Sequence, residues 1–160
     1  MNNLYSFDVR RATAAEIPAI MQITQEAFAK YCELANVNTE KISATAETAD
    51  NVANDIQTKE VYVAFIDDIP VGSVRVEILG DNRARLSRFG VRLDYQNNGI
   101  GKILMNVVDN SMRLQGIKVL ELYTASKFRA LVRFYYGRGF YIEEVKNDRG
   151  YARAKLVKEY

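Results

Sequence analysis

The stretch YQNNGIGKILM, residues 95–105, places two glycines one residue apart directly before apolar residues at helical spacing. A glycine lacks the side chain that would keep a ligand away from the peptide N–H groups, and the first turn of a helix has N–H groups without an internal partner. The helix dipole adds roughly half a positive charge at that end. The stretch therefore predicts an anion site for phosphate, or a loop-to-helix junction whose glycines serve turn geometry alone.

Two common phosphate motifs do not fit this stretch. A P-loop needs G-x-x-x-x-G-K-[ST], but Gln96 stands at its first glycine and Ile103 at its metal-binding hydroxyl. A dinucleotide fingerprint G-x-G-x-x-G that starts at Gly99 would need its third glycine at Leu104. The glycine pair therefore belongs to neither motif.

Hydrophobic periodicity on both sides of the glycines predicts a series of strands and helices. From Gly99 the apolar residues recur at intervals of three and four up to Gly116, which predicts a helix. Turn residues separate the strand-like runs. In chain order the predicted elements are a strand at 5–13, a helix from 14 to about 33, a polar loop at 36–43, a helix at 45–58, strands at 61–67, 70–79 and 83–91, the helix from 99, a strand at 118–124, a helix at 129–140 and a hairpin of 141–145 and 151–157.

This order of elements predicts a mixed α/β fold with one central sheet. The strand, helix and strand around the glycines imply a crossover connection, which pairs two strands in parallel. The remaining strands follow one another through short turns. We therefore expect them to pair antiparallel.

Composition narrows the functional classes. The 160 residues fit one domain, and 48% apolar and 26% charged residues are typical of a soluble globular protein. A net charge of +2 without a basic block argues against a dedicated nucleic-acid binder, although a local patch stays open. No apolar run of about 18 residues and no signal-peptide pattern is present, so we expect no membrane association and a cytoplasmic location.

The sequence contains no histidine and one cysteine, Cys32. Ser–His and Cys–His nucleophile pairs, histidine bases and histidine metal ligands are therefore excluded. Cys32 has no disulfide partner, and a buried, inert thiol is favoured over a catalytic one. We expect no metal, and proton transfer must use Tyr, Glu, Asp, Lys, Cys, a chain terminus or water.

The element order, the central VRLDYQNNGIGKILM and a tyrosine four residues before Gly139-Phe140 resemble the GNAT N-acetyltransferase superfamily over essentially the whole chain. The family motif Q/R-x-x-G-x-G/A reads Gln96 to Gly101, after a strand that ends at Val91. The resemblance implies one GNAT-type N-acetyltransferase domain over residues 1–160. Its mixed, mostly antiparallel sheet would have helices on both faces and one parallel pair, 85–91 and 119–124, that splays apart.

The same resemblance implies that the anion is the pyrophosphate of acetyl-CoA, held by backbone N–H groups of the loop and the first helical turn. The strand residues would pair with the pantetheine arm through their main chain only, while their side chains pack. The implied cofactor-binding positions are Phe89, Val91, Gln96, Asn98, Gly99, Ile100, Gly101 and Lys102.

The implied reaction moves the acetyl group to a primary amine of a small molecule or peptide by direct attack of the amine. Tyr135 occupies the family's Y-x-x-x-G-F position, where a phenol serves as general acid to the CoA sulfur. Its alternative is a packing aromatic, and Tyr136 is the neighbour most easily confused with it. The N–H of Val91 resembles the donor to the thioester carbonyl. A homodimer stays open, and the alternative function is a non-catalytic CoA-binding or regulatory module.

The sequence departs from the family pattern at two positions. Many relatives carry an asparagine seven residues before the tyrosine, but this chain has Phe128, so that hydrogen bond would be missing or come from Ser126 or Lys127. Relatives also often place a glutamate on the strand before the central motif, and none is present there. The general base is unassigned. The candidates are Glu33, Glu47 and Glu77, each also interpretable as a solvated surface charge, and an acceptor amine of low pKa, or bulk water as the proton acceptor, would need no protein base.

Residues before the predicted cofactor loop are candidates for recognition of the acceptor. The segment 32–48 corresponds to the region that shapes the acceptor site in such folds, so Tyr31, Glu33 and Glu47 are candidate specificity residues. Four arginines surround the strand before the glycine loop. They indicate a solvated strand face, a contact to CoA phosphates or attraction of an anionic acceptor: Arg83, Arg85, Arg88 and Arg92.

Overall fold

A computed structural model of the protein describes residues 6–38 and 43–160. The strands are β1 (Phe7–Arg11), β2 (Glu60–Ile66), β3 (Ile69–Gly80), β4 (Arg83–Val91), β5 (Val119–Ala125), β6 (Tyr141–Lys146) and β7 (Arg153–Glu159). The α-helices are α1 (Ile17–Ala35), α2 (Ala49–Thr58), α3 (Ile100–Leu114) and α4 (Arg129–Gly137). Their order along the chain is the predicted one.

The start of α2 differs from the prediction of a helix at 45–58. Thr48 and Asn51 form a capping box: the Thr48 hydroxyl accepts from the Asn51 N–H at 3.2 Å, and the Asn51 side chain accepts from the Thr48 N–H at 2.9 Å. This reciprocal pair begins the helix at Ala49. The residues before it form a separate 3₁₀ turn, Ser43–Ala46, and the predicted loop at 36–43 lies partly outside the described residues.

The end of α4 also differs, because the helix stops at Gly137 and not at residue 140. Gly139 has a φ of 96°, and the N–H of Phe140 donates to the carbonyl of Tyr135 at 3.1 Å. A left-handed glycine with a bond back into the last turn is the usual way in which a helix ends. Phe140 is thereby turned into the core, where it is buried.

The strands form one seven-stranded sheet in the order β1-β2-β3-β4-β5-β7-β6. β4 and β5 pair in parallel, and all other neighbours pair antiparallel, which confirms the predicted mixed sheet. The parallel register covers only three residues of each strand, from Arg83 opposite Val119 to Arg85 opposite Glu121. Beyond Arg85 the two strands separate, as the resemblance implied for this pair.

Helices cover both faces of the sheet, also as predicted. Val61, Val63 and Phe65 of β2 pack with Ile20 of α1 and Val52 of α2 on one face. The alternate residues of β2 belong to the cluster on the other face, which contains the apolar stripe of α3 and a tyrosine of α4. Within the described residues, no helix combines the length and the apolar character needed to span a bilayer.

Candidate active site

A cleft of about 1050 Å³ opens where β4 and β5 separate. Its walls come from the second half of β4, the loop before α3 and the first turn of α3, the end of β5, α4, one face of α1 and the connection between β6 and β7. Because the sheet opens here, main-chain groups of β4 that would otherwise pair with β5 face the cleft.

A β-bulge interrupts β4 at the edge of this cleft. Ser73 lies opposite Gly90 and Arg75 opposite Ser87, so two residues of β4, Arg88 and Phe89, face a single residue of β3. Arg88 has a φ of 51°, and its Nε donates to the carboxylate of Glu47 at 3.1 Å. Bulges of this kind redirect side chains next to functional sites.

Val91 turns its main-chain groups toward the gap. The N–H of Arg92 donates to the carbonyl of Val71 at 2.8 Å, while Val91 lies opposite Gly72. In an antiparallel ladder this makes Val91 and Gly72 a non-hydrogen-bonded pair, so both main-chain groups of Val91 point away from β3. Its carbonyl accepts from the Gln96 side chain at 3.0 Å, whereas its N–H has no acceptor among the described residues.

The N-terminus of α3 faces the cleft without a cap. Gly99 is the N-cap residue with a φ of 79°, no side chain caps the helix, and the first helical bond runs from Ile103 N–H to Gly99 carbonyl at 3.1 Å. The N–H groups of Ile100, Gly101 and Lys102 have no acceptor within the described residues. A Cβ at Gly99 would meet nothing within 4 Å, so open space lies in front of these donors.

The predicted loop residues differ in what their side chains do. Gln96 binds the Val91 carbonyl, and Asn98 donates to the carbonyl of Tyr95 at 3.3 Å, so both brace the loop itself. Ile100 is buried in the core, and Lys102 is exposed and lines the cleft. The loop therefore offers the cleft main-chain donors and one cationic side chain.

Gly101 has a packing role that the sequence did not indicate. A Cβ at this position would lie 2.9 Å from Cζ of Phe89 and 3.6 Å from Cζ of Phe134. The two rings stack with centroids 5.6 Å apart. Gly101 thus makes room for an aromatic side chain, whereas the space beside Gly99 is open to a ligand.

Tyr135 and Tyr136 point to different places. Tyr135 is 3% exposed and lines the cleft, with its ring against Phe134 at 5.6 Å and Phe140 at 5.5 Å. Its hydroxyl has no hydrogen-bond partner among the described residues, and burial raises its pKa, with a smaller contribution from Tyr31. Tyr136 is half exposed, and its hydroxyl accepts from the Ile142 N–H at 3.2 Å.

Tyr31, a candidate specificity residue, joins α1 to the end of β5. Its hydroxyl accepts from the N–H of Ala125 at 2.5 Å and lies 3.5 Å from the hydroxyl of Thr124. Burial raises the pKa of Tyr31. Its ring packs 5.3 Å from that of Phe128, the residue that stands in the place of the family's asparagine. That place is therefore filled by an aromatic contact.

None of the three candidate bases lines the cleft. Glu33 is exposed and pairs with Lys30 at 3.4 Å, and Glu77 lies 3.6 Å from Lys59. Among the described residues the single carboxylate in the lining is Asp148, which accepts from Arg153 at 3.1 Å. The structure therefore assigns no general base.

Glu47 corrects the interpretation of a solvated surface charge, because its side chain is only 5% exposed. Both of its oxygens accept from Arg75 at 2.6 Å, and Arg75 also donates to Asp55 at 2.8 Å. Arg75 is fully buried in β3. Glu47 thus belongs to a buried ion cluster that also holds Arg88 of the bulge.

The four arginines around β4 are all paired, which replaces the simple solvated face by a set of ion pairs. Arg83 and Arg85 share the buried carboxylate of Glu121, at 3.4 and 3.1 Å. Arg88 pairs with Glu47, and Arg92 lies 3.7 Å from a carboxylate of α1. Of the four, Arg85 and Arg88 line the cleft.

Sequence reasoning missed several cleft residues, among them Tyr123 of β5 and Arg153 of β7. The Arg153 guanidinium lies 4.6 Å from the centroid of the Tyr123 ring, and that of Arg85 lies 5.9 Å from it. Strand alternation could have indicated that Tyr123 shares a face with Glu121. The neighbour relation of β5 and β7, which is antiparallel and not sequential, could not be read from the pattern.

Comparison with known proteins gives consistent results. A profile of the acetyltransferase (GNAT) family matches residues 18–140. A spermidine N(1)-acetyltransferase of Thermoplasma acidophilum is 22% identical over 148 residues, which cover 87% of this chain and 91% of the relative. The crystal structure of PaiA N-acetyltransferase from Thermoplasma acidophilum in complex with coenzyme A matches with a TM-score of 0.86 and 21% identity, covering 97% of this chain and 99% of that one. The ribosomal-protein-S18-alanine N-acetyltransferase from Escherichia coli matches with a TM-score of 0.73 and 16% identity, covering 96% and 94%.

Proposed function

We propose that this chain, which belongs to the acetyltransferase (GNAT) family and is an acetyltransferase, moves the acetyl group of acetyl-CoA to a primary amine of a small molecule or peptide. The amine attacks the thioester directly. One observation carries this proposal: the uncapped N-terminus of α3 opens on the gap between β4 and β5. The gap suits an extended thiol arm, and the helix N-terminus suits a phosphate.

The residues present fit the phosphates of acetyl-CoA. The N–H groups of Ile100 to Lys102 have no internal acceptor, and the open space beside Gly99 lets an anion approach them. Three cationic side chains line the same cleft and add positive charge: Lys102 of α3, Arg133 of α4 and Arg138 directly after α4. Gln96 and Asn98 act by holding the loop in shape.

The residues of β4 fit the pantetheine arm. Beyond Arg85 the strand has no partner on the β5 side, so its main chain can pair with an extended ligand. The Val91 N–H points into this gap. The Phe89 ring stacks on Phe134 and supports the first turn of α3 through Gly101, so only its main chain would contact the ligand.

Acetyl-CoA supplies the acetyl group as a thioester. In the proposed reaction the Val91 N–H donates to the thioester carbonyl oxygen, where negative charge develops as the amine attacks. The Tyr135 hydroxyl donates its proton to the sulfur as the C–S bond breaks. Burial raises the pKa of Tyr135, so the proton is present at neutral pH. The attacking amine gives its proton to water, since the cleft carboxylate of Asp148 is bound to Arg153. The Tyr135 phenolate then takes a proton back from water, which restores the acid.

We also propose that residues 1–160 form a single domain, because the described residues share one sheet. The direct test is release of CoA thiol when the protein is incubated with acetyl-CoA and a panel of primary amines. Spermidine, the substrate named for the Thermoplasma acidophilum relative, belongs on that panel.

Calorimetry with CoA, with and without EDTA, completes the test. We expect binding in both conditions and turnover with at least one amine. Binding without turnover on any amine would favour a non-catalytic CoA-binding module, and absence of binding would overturn the assignment of the cleft.

A further inference from the structure

We infer that Arg85 and Arg153, which flank the ring of Tyr123, bind an anionic group on the acceptor amine, a carboxylate or a phosphate. This inference rests on the proposed acetyl transfer and names the class of its acceptor: a primary amine that also carries a negative charge. It predicts that polycationic amines are poor acceptors.

Arg85, Tyr123 and Arg153 share one face of the sheet. Leu86 and Leu122 belong to the apolar cluster under α3, so their neighbours Arg85 and Tyr123 point to the opposite face of the sheet. Arg153 of β7 reaches the same ring at 4.6 Å. All three line the cleft on the face that carries α1 and the β6–β7 connection.

Arg85 and Arg153 keep N–H donors that the described residues do not use. Arg153 donates through Nη1 to Asp148, at 3.1 and 3.3 Å to its two oxygens, and Arg85 donates through Nε to Glu121 at 3.1 Å. A guanidinium has five N–H donors. The other N–H groups of Arg85 and Arg153 have no acceptor among the described residues. Two guanidinium groups held on one ring therefore offer the forked donors that bind carboxylate and phosphate.

The burial of Arg153 strengthens its contact with an anion. Arg153 is only 8% exposed, so its charge is largely removed from water. An ion pair in such surroundings is screened less than one at the surface. Tyr123 contributes a rigid platform, because both guanidinium groups lie within about 6 Å of the ring, the range of a cation–π contact.

The charged side chains that line the cleft are mostly cationic. Among the described residues its lining contains one carboxylate, Asp148, which is already paired. Apart from Lys102, Arg133 and Arg138, the cationic lining residues are Arg85, Arg88, Lys146, Arg149 and Arg153. A second ammonium group on the acceptor would find no unpaired carboxylate there, whereas an anion would be attracted.

The experiment compares amines that differ only in charge. The pairs are amino acids with the corresponding amino-acid amides, and O-phosphoethanolamine with ethanolamine, with spermidine as the polycation. Rates are expressed per concentration of unprotonated amine, which removes differences in amine pKa. We expect kcat/KM of the anionic member to exceed that of its neutral partner by about tenfold or more in at least one pair. The two pairs separate carboxylate from phosphate recognition.

Matched variants identify the residues responsible. Arg85→Gln and Arg153→Gln should reduce the preference for the anionic amine, mainly through KM. Arg83→Gln is the control, because Arg83 binds the same Glu121 carboxylate but does not line the cleft. Thermal unfolding of all variants shows whether each is folded. If Arg153→Gln is not, the contrast between Arg85→Gln and Arg83→Gln decides the question.

Two outcomes overturn the inference. One is a wild-type protein that acetylates neutral amines or spermidine better than every anionic amine. The other is a preference for anionic amines that stays unchanged in Arg85→Gln. If no amine is acetylated although CoA binds, the proposed function fails separately. Calorimetric titration of the anionic amines into the CoA-loaded protein then tests the subsite: binding lost in Arg85→Gln supports it, and no binding refutes it.

Discussion

Replacement of Tyr135 by phenylalanine removes one hydroxyl and keeps the ring. The ring packs against Phe89, Phe134 and Phe140, and all of these contacts remain in the variant. The hydroxyl has no hydrogen-bond partner among the described residues, so its loss leaves no buried group unpaired there. We therefore expect the free energy of unfolding to change by less than about 1 kcal/mol.

The effect on catalysis should be much larger. A positioned general acid contributes about 10²–10⁴-fold to the rate, which corresponds to about 2.7–5.5 kcal/mol of activation free energy. The loss should fall on kcat, because the proton is needed only as charge develops on sulfur, and the Kd for CoA should stay within a few-fold. The measurement is steady-state release of CoA thiol with the best amine of the panel, together with calorimetry of CoA.

Tyr136→Phe is the matched control. Its hydroxyl accepts only the Ile142 N–H, on the half-exposed side of α4. This variant should lose about 1 kcal/mol of stability or less and none of its activity. If Tyr136→Phe is the slow enzyme, or if Tyr135→Phe retains full kcat, the assignment of Tyr135 as the acid is wrong.

Three further predictions follow from the same geometry. Gly99→Ala should weaken CoA binding at least tenfold, because its methyl group would stand in the open space before the unpaired N–H groups. Gly116→Ala is the control, because Gly116 has a similar φ of 72° and also no neighbours within 4 Å, and it should lose only stability. Equal CoA affinity of the two variants in calorimetry would place the phosphates elsewhere. Arg75→Leu should lower the free energy of unfolding by about 3–5 kcal/mol, since it removes the buried guanidinium that Glu47 and Asp55 share. The partners that remain, Arg88 for Glu47 and Lys59 for Asp55, are more exposed. A loss below about 1 kcal/mol in urea titrations would contradict this. Burial raises the pKa of Tyr135, so the hydroxyl keeps its proton as the pH rises. The pH profile of kcat/KM should therefore rise as the amine loses its proton and should show no falling limb below a pH of about 10. A fall in kcat/KM between a pH of about 7 and about 9 would count against Tyr135 as the acid.

Much of the fold could be predicted because its signals are local. The apolar stripe of α3 and the turn residues between strands each lie within a short window, and the parallel pairing of β4 and β5 follows from one crossover unit. The splay of this pair was implied by the family resemblance. The exact limits of helices were harder. α2 begins at a capping box that competes with a longer helical pattern, and α4 ends at Gly137 because of the turn at Gly139, whose φ of 96° only the structure gives.

The candidate site divides in the same way. The glycine loop and Tyr135 lie in motifs whose residues are close in sequence. The pairing of Glu47 with Arg75, 28 residues away, and with Arg88, 41 residues away, depends on how the segment just before α2 is placed against β3 and β4. No pattern in the sequence distinguishes such a buried acid from a solvated one.

The buried ion cluster also bears on the missing base. Glu47 is bound by Arg75 on one side and by Arg88 of the β4 bulge on the other, so its charge is used to hold the strand in the shape that aims Val91 at the cleft. Guanidinium groups occupy both carboxylate oxygens of Glu47, and Glu47 does not line the cleft, so it is not placed to take a proton from the acceptor. The contacts that shape β4 therefore occupy one of the three candidate bases. The acceptor amine must then lose its proton to water, and an anionic group bound by Arg85 would hold that amine in place while it does so.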